Sequence, residues 1–201
     1  MFFDGNDKVH VTLRRVAAAL DSAGISYAIV GGMAVNAHEH ERTTKDVDFL
    51  VTSQGFETFE KLIVSGDFSN VPGRSRRFLD RITGVTFDFI VTGMYPGSGK
   101  PGPIAYPNPK DVSQRINNFP VIDLATLIQL KLAARRHQDY ADVVNLISAH
   151  QLDESYLSRL HPSVHADYVE CLEEKRREDE YELRRDEQFR DRTGDSPDAS
   201  S

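Results

Sequence analysis

Two hydrophobic periods alternate along the chain, and the switches between them mark its elements. From Val9 to Leu20 the apolar residues Val11, Leu13, Val16, Ala17 and Leu20 recur at intervals of three and four, which predicts an amphipathic helix closed by Gly24. The β-rich run ISYAIV then meets Gly31-Gly32, and MAVNAH follows at helical spacing, so a strand, a tight glycine turn and a short helix are expected. DVDFLVT reads as a second strand. Gln54 to Val64 reads as a helix with Phe56, Phe59, Leu62 and Ile63 on one face. Two alternating runs, SRRFLDRI and VTFDFIV, joined at Thr83-Gly84, predict a β-hairpin.

The stretch from Gly93 to Lys110 carries five of the nine prolines and four glycines, which predicts an irregular loop lying over a site. A short β-like piece near FPVI precedes Asp123, placed to cap a helix bearing Leu124, Leu127, Ile128, Leu130 and Leu132. A second helix is expected from about Asp139, read as its N-cap, to Ala149. From Cys171 to Arg192 nearly every position is charged, with Glu173 and Arg177, then Glu180 and Arg184, at i,i+4 spacing, so a solvated helix is expected. The final TGDSPDASS has nothing to bury and is expected to be disordered. The organisation that follows is a core over 1–122, a helical annex over 123–170 that completes the site, and a charged helix with a tail over 171–201. In class this is α+β, a mixed and mostly antiparallel sheet flanked by helices.

Composition narrows the setting. A chain of 201 residues can bury one core without disulfides or metals. Its single cysteine, Cys171, has no internal partner, and the opening MFFDGNDKVH lacks the layout of a signal peptide, so a reducing cytoplasm is the expected home. No apolar run is long enough to span a bilayer, and no membrane partner is expected. A formal charge of -7 argues against gripping nucleic acid by bulk attraction alone. An RNA partner would need a local patch, for which Arg74, Arg76, Arg77 and Arg81 on the hairpin, with Arg135 and Arg136 on the annex, are the candidates; the alternative is ordinary surface.

The candidate chemistry sits in the strand DVDFLV. Alternate residues of a strand share a face, so Asp46 and Asp48 project together while Val47, Phe49 and Val51 project to the core. Two carboxylates about 7 Å apart along the backbone repel one another unless a cation joins them, and hard Mg²⁺ accepts such a pair with water and phosphate oxygens. Asp88, between Phe87 and Phe89, puts a third carboxylate on another strand, where aspartate is otherwise disfavoured. Gly31-Gly32 opens a helix N-terminus with bare amides, which favours phosphate. Two other motifs mislead. PGSGKPG ends a phosphate-binding loop badly, because Pro101 follows Lys100, and HEHE from His38 to Glu41 lacks the spacing of a zinc helix.

On Gly31, Gly32, Asp46, Asp48 and Asp88 the chain resembles the nucleotidyltransferase superfamily with a polymerase-beta-like fold. Arg42, Thr44, Asp46 and Asp48 echo an R-x-T-x-D-x-D approach, which makes it most similar to the AbiEii-type minimal nucleotidyltransferase toxins of bacterial toxin-antitoxin pairs. The block DLATLIQLKLAARRHQDYADVVNLI is similar to a helical segment of those proteins, placing their lysine at Lys131 and their aspartates at Asp139 and Asp142. The likeness spans Tyr27 to about Ile147; Gly32 stands where many members carry serine, and the charged tail is unmatched.

The resemblance implies transfer of a nucleoside monophosphate from an NTP to an acceptor hydroxyl of tRNA, protein or a small molecule, with a cognate antitoxin as a further partner. It implies two Mg²⁺ ions, or Mn²⁺ in their place, on Asp46, Asp48 and Asp88, with Asp88 also serving as general base. Lys131 would meet the triphosphate, and Gly31, Gly32 and Arg42 would help hold the nucleotide. The alternative is a catalytically silent module of the same fold that docks a protein partner.

Overall fold

The computed structural model describes residues 3, 5–38, 43–63 and 66–193. Asp7 begins the first helix, α1 (Lys8–Ser22), by accepting from the backbone N–H groups of Val9 and His10. Gly24 ends it at φ +66°, where the N–H groups of Gly24 and Ile25 reach back to the carbonyls of Asp21 and Leu20. β1 (Tyr27–Val30) leads directly into α2 (Gly31–Ala37), and β2 (Val47–Val51) is followed by α3 (Ser53–Ile63). β3 (Phe68–Asn70), β4 (Arg77–Asp80) and β5 (Thr86–Val91) come next, then a short α4 (Pro109–Val112), β6 (Ser113–Ile116) and β7 (Phe119–Ile122). The helices α5 (Leu124–Ala134), α6 (His137–His150) and α7 (His165–Thr193) complete the described chain, with two 3-10 turns, Glu154–Arg159 and Pro162–Val164, before α7.

All seven strands form one sheet in the order β3-β4-β5-β2-β1-β7-β6. β1 pairs parallel with β7, and β2 parallel with β5, while the other four pairings are antiparallel. The mixed, mostly antiparallel sheet read from the sequence is therefore the sheet that forms. β3 and β6 are the edge strands that hydrophobic pattern did not announce; both are short and largely polar, so neither carries a clear period.

Alternation along the central strands separates the core from the chemistry. Val47, Phe49, Val51, Phe78, Phe87 and Phe89 point to one face and are buried there. Phe56 and Phe59 of α3 close over them, with Phe59 and Phe89 ring centres 4.6 Å apart. Leu62, expected on that face, is instead 55% exposed, and the side chain of Ile63 and all of Val64 lie outside the described residues. α1 covers the same face, where the buried Asp80 accepts from Arg15 Nε at 2.8 Å and from the backbone N–H of Ile82 at 2.9 Å. In the annex, α7 packs against α6 and buries Tyr168 and Cys171 before its charged half runs on. Glu180 pairs with Arg184 as expected, whereas Arg177 pairs with Glu174 rather than Glu173. The expectation of a disordered terminus falls outside the described residues beyond Thr193.

Candidate active site

A row of charged side chains crosses the opposite face of the sheet. Strand register sets Asp48 of β2 beside Asp88 of β5, and Asp88 beside Arg77 of β4. Asp46 stands just before β2, where Thr44 Oγ1 donates to its carbonyl at 3.1 Å. On the other flank Val30 of β1 pairs with Asp48, so the turn into α2 begins next to that carboxylate. Gly31 has φ +63°, and a Cβ added there would stand 2.0 Å from Asp48 Oδ2. The glycine is thus needed twice: for its backbone conformation, and to let the carboxylate stand against the turn. No side chain caps α2, which leaves its first amides unclaimed by a capping group.

These groups line one cleft of about 460 Å³, together with Gly32, Thr44, Lys131 and Arg136. Met94, Tyr95, Pro96, Gly97 and Tyr106 form a wall of it, so the proline- and glycine-rich loop does lie over the site, as its composition suggested. Gly97 anchors that wall, because a Cβ there would meet the backbone oxygen of Ala134 at 2.5 Å. The phosphate-loop look of PGSGKPG comes to nothing more than this irregular loop.

The electrostatics are crowded. Asp48 has its carboxyl pushed up to about 7, first by burial and then by the like charges of Asp46 and Asp88, against the opposing pull of Lys131 and Arg77. Tyr106 is pushed up to about 12, chiefly by burial and then by Asp48. Arg77 spans the carboxylates, its Nε 3.0 Å from both Asp88 oxygens and its Nη2 2.5 Å from Asp88 Oδ2 and 3.2 Å from Asp46 Oδ2.

Lys131 is neither solvent-facing nor unengaged. Buried on α5, it donates to Asp142 Oδ2 at 2.6 Å and to Asp139 Oδ1 at 3.3 Å. Asp139 is not the N-cap of α6; Arg136 holds that position without a side-chain cap, and its Nε donates to Asp139 at 2.6 Å. The expected cap loses out because Asp139, the third residue of the helix, has two cations to satisfy instead. Asp142 is buried and also accepts from Gln138.

Of the residues singled out from sequence, Gly31, Gly32, Asp46, Asp48, Asp88 and Lys131 share the cleft, and Arg42 lies outside the described residues. Of the candidates for an RNA patch, Arg77 and Arg136 line the cleft, Arg136 while largely exposed, and Arg74, Arg76, Arg81 and Arg135 are exposed surface. Arg77 sits directly opposite Asp88 across the hairpin, a pairing that no local pattern in SRRFLDRI marks. The HEHE motif gives no metal cage among the described residues: His38 is buried with Nε2 2.8 Å from the carbonyl of Ile122, and the rest of the motif is outside them.

Whether a divalent ion suits the cleft is decided by its donors. Asp46, Asp48 and Asp88 are hard oxygen donors of the kind a hard divalent cation takes, but Arg77 engages Asp88 and Asp46, and among the described residues no group of three or more such ligands is placed to hold a metal ion together.

In architecture the chain is similar to ANT(2'')-Ia, solved in complex with adenylyl-2''-tobramycin, at a TM-score of 0.52 and 13% identity over 80% of this chain and 96% of that one. It is also similar to an antigenic nucleotidyltransferase-like protein from Paracoccidioides brasiliensis, with TM-score 0.46, 18% identity and coverage of 72% and 76%. JHP933 from Helicobacter pylori gives TM-score 0.43 and 14% identity over 75% and 70%. No protein-family model matches the sequence, and no curated protein matches it. The likeness is one of fold, and the fold is of the nucleotidyltransferase type.

Proposed function

We propose that the cleft transfers a nucleoside monophosphate from an NTP to an acceptor hydroxyl, the hydroxyl oxygen bonding to the α-phosphorus as its bond to the β-phosphate oxygen breaks and pyrophosphate leaves. The observation that carries this reading is the close approach of the Gly31 turn to Asp48: a left-handed turn with no room for a Cβ brings bare amides and a crowded carboxylate row to one point. Phosphate and a cation are the ligands such a point accepts together.

Asp46 and Asp48 are the residues that would hold a divalent cation, Mg²⁺ or Mn²⁺. Bound there, it would supply a Lewis acid for the phosphoryl oxygens. Gly31 and Gly32 offer backbone N–H groups to the phosphates, and Lys131 lends positive charge from the cleft floor while Asp139 and Asp142 fix its position. The resemblance assigns Asp88 to the acceptor hydroxyl, and Arg77, which donates to both its oxygens, would hold it in that position. The proline-rich wall around Tyr95 and Tyr106 excludes water from the reacting groups.

The acceptor follows from two likenesses. The Thr44, Asp46, Asp48 approach and the Lys131 to Asp142 block support a toxin of the AbiEii type acting on tRNA or protein, with an antitoxin partner. The bound adenylyl-2''-tobramycin of ANT(2'')-Ia adds a small-molecule hydroxyl to the acceptors worth offering.

The test is to incubate the purified chain with Mg²⁺ and each α-labelled NTP, adding in turn total RNA, cell protein and an aminoglycoside. Label is expected on one acceptor class, and Asp46→Asn is expected to lower transfer by roughly 10²–10³-fold with the fold intact. If no acceptor is labelled and no NTP with Mg²⁺ raises the melting temperature, the silent docking module replaces this reading.

A further inference from the structure

We infer that Arg77 stands in for the second divalent ion, so that the cleft takes a single cation, on Asp46 and Asp48. The inference rests on the metal-dependent reading above and revises the expectation of two ions.

Three observations lead to it. Arg77 reaches the carboxylates through the sheet itself: β4 pairs with β5 at Arg77 and Asp88, and β5 with β2 at Asp88 and Asp48, which puts the guanidinium in the same row. Both oxygens of Asp88 are already engaged, with Nε 3.0 Å from each and Nη2 2.5 Å from Oδ2. The fork then extends to Asp46 Oδ2 at 3.2 Å, so one planar cation bridges the two carboxylates that a second metal ion would have to share.

Charge points the same way. A guanidinium is permanently protonated, and a divalent ion on Asp88 would sit beside it in a half-buried cleft, where repulsion is weakly screened. The cleft lining sets Asp46, Asp48, Asp88 and Asp139 against Arg77, Lys131 and Arg136, so one divalent ion already carries its sum past neutrality and a second would add to the excess. Asp48 takes no hydrogen bond from this fork and stands against the glycine turn, and Asp46 Oδ1 is outside the fork, so these two carboxylates are left for that ion. Arg77 is therefore a positioning residue: it fixes Asp88 and supplies the fixed positive charge that a mobile ion would otherwise bring.

The experiment counts ions directly. Crystals of the full chain are soaked with Mn²⁺ and the α,β-methylene analogues of the four NTPs, and the anomalous peaks in the cleft are located. Wild type is expected to show one peak, at Asp46 and Asp48, with Arg77 still on Asp88; Arg77→Met is expected to show a second peak on Asp88. A second peak on Asp88 in wild type would overturn the inference while leaving the metal-dependent reading standing, as would a single unchanged peak in Arg77→Met. No peak in either protein would remove both. The wild-type count decides the matter even if Arg77→Met fails to fold, and Arg77→Lys, which keeps the charge, is expected to keep one peak.

Discussion

Asp48 is the residue at which fold and chemistry conflict most. Its carboxyl titrates near 7 in the folded chain because burial and two neighbouring carboxylates oppose its charge. The sign of the consequence follows from proton counts. Between about 4 and 7 the unfolded chain has lost this proton and the folded chain still holds it, so this group lowers stability as pH rises through that window. In metal-free buffer at pH 8, Asp48→Asn is expected to be more stable than wild type by about 2 kcal/mol, roughly 5 °C in Tm, with the advantage vanishing near pH 4. Thermal melts at the two pH values check this, and an equal or lower Tm for Asp48→Asn at pH 8 counts against it. Neither Gly31 nor Asp48 announced this coupling in sequence, since they lie 17 positions apart and meet only through the β1–β2 pairing.

Among the elements, the β4–β5 hairpin serves both faces of the sheet. Its outward row presents Arg77 and Asp88 to the cleft, while its inward row presents Phe78, Phe87 and Phe89 to α3. One inward residue breaks the apolar pattern. Asp80 is wholly buried, and Arg15 and Ile82 N–H both donate to it, so α1 is tied to the hairpin turn by an ion pair. Arg15 is part-exposed and keeps its pair with Asp67, so the cost of removing Asp80 falls on the Ile82 N–H and Thr12 hydroxyl left without that acceptor, about 3 kcal/mol together. Asp80→Ala is therefore expected to lose about 3 kcal/mol in urea unfolding, whereas an exposed hairpin change, Arg81→Ala, stays within about 0.5 kcal/mol. Comparable losses in the two variants would show that the tie to α1 does not hold the hairpin.

At the scale of the whole molecule, the annex closes the cleft with α5 and α6, and α7 anchors those helices through Tyr168 and Cys171 before becoming almost fully exposed from Arg176 to Phe189. Among the described residues no helix is long and apolar enough to cross a membrane. A chain ended after Asp179 keeps Tyr168 and Cys171, the buried residues of α7 among those whose burial is described, and is expected to melt within about 2 °C of the full chain. A larger drop would mean that the charged half of α7 contributes to the core. The sequence by itself determined the elements with a strong period: α1, the glycine turn, β2, the hairpin, the two annex helices and the alternation that sends phenylalanines to one face and aspartates to the other. Side-chain period is a local property of the backbone, so these are legible residue by residue. Only the tertiary structure decided which distant residues meet. The parallel pairing of β2 with β5 aligned Asp48 with Asp88, and the hairpin register turned Arg77 from an expected surface arginine into a cleft residue. Packing of α5 on α6 buried Lys131 between Asp139 and Asp142. Register and helix packing are set by the summed burial of many side chains, and a short polar run such as RRF carries no local mark of the partner it will face.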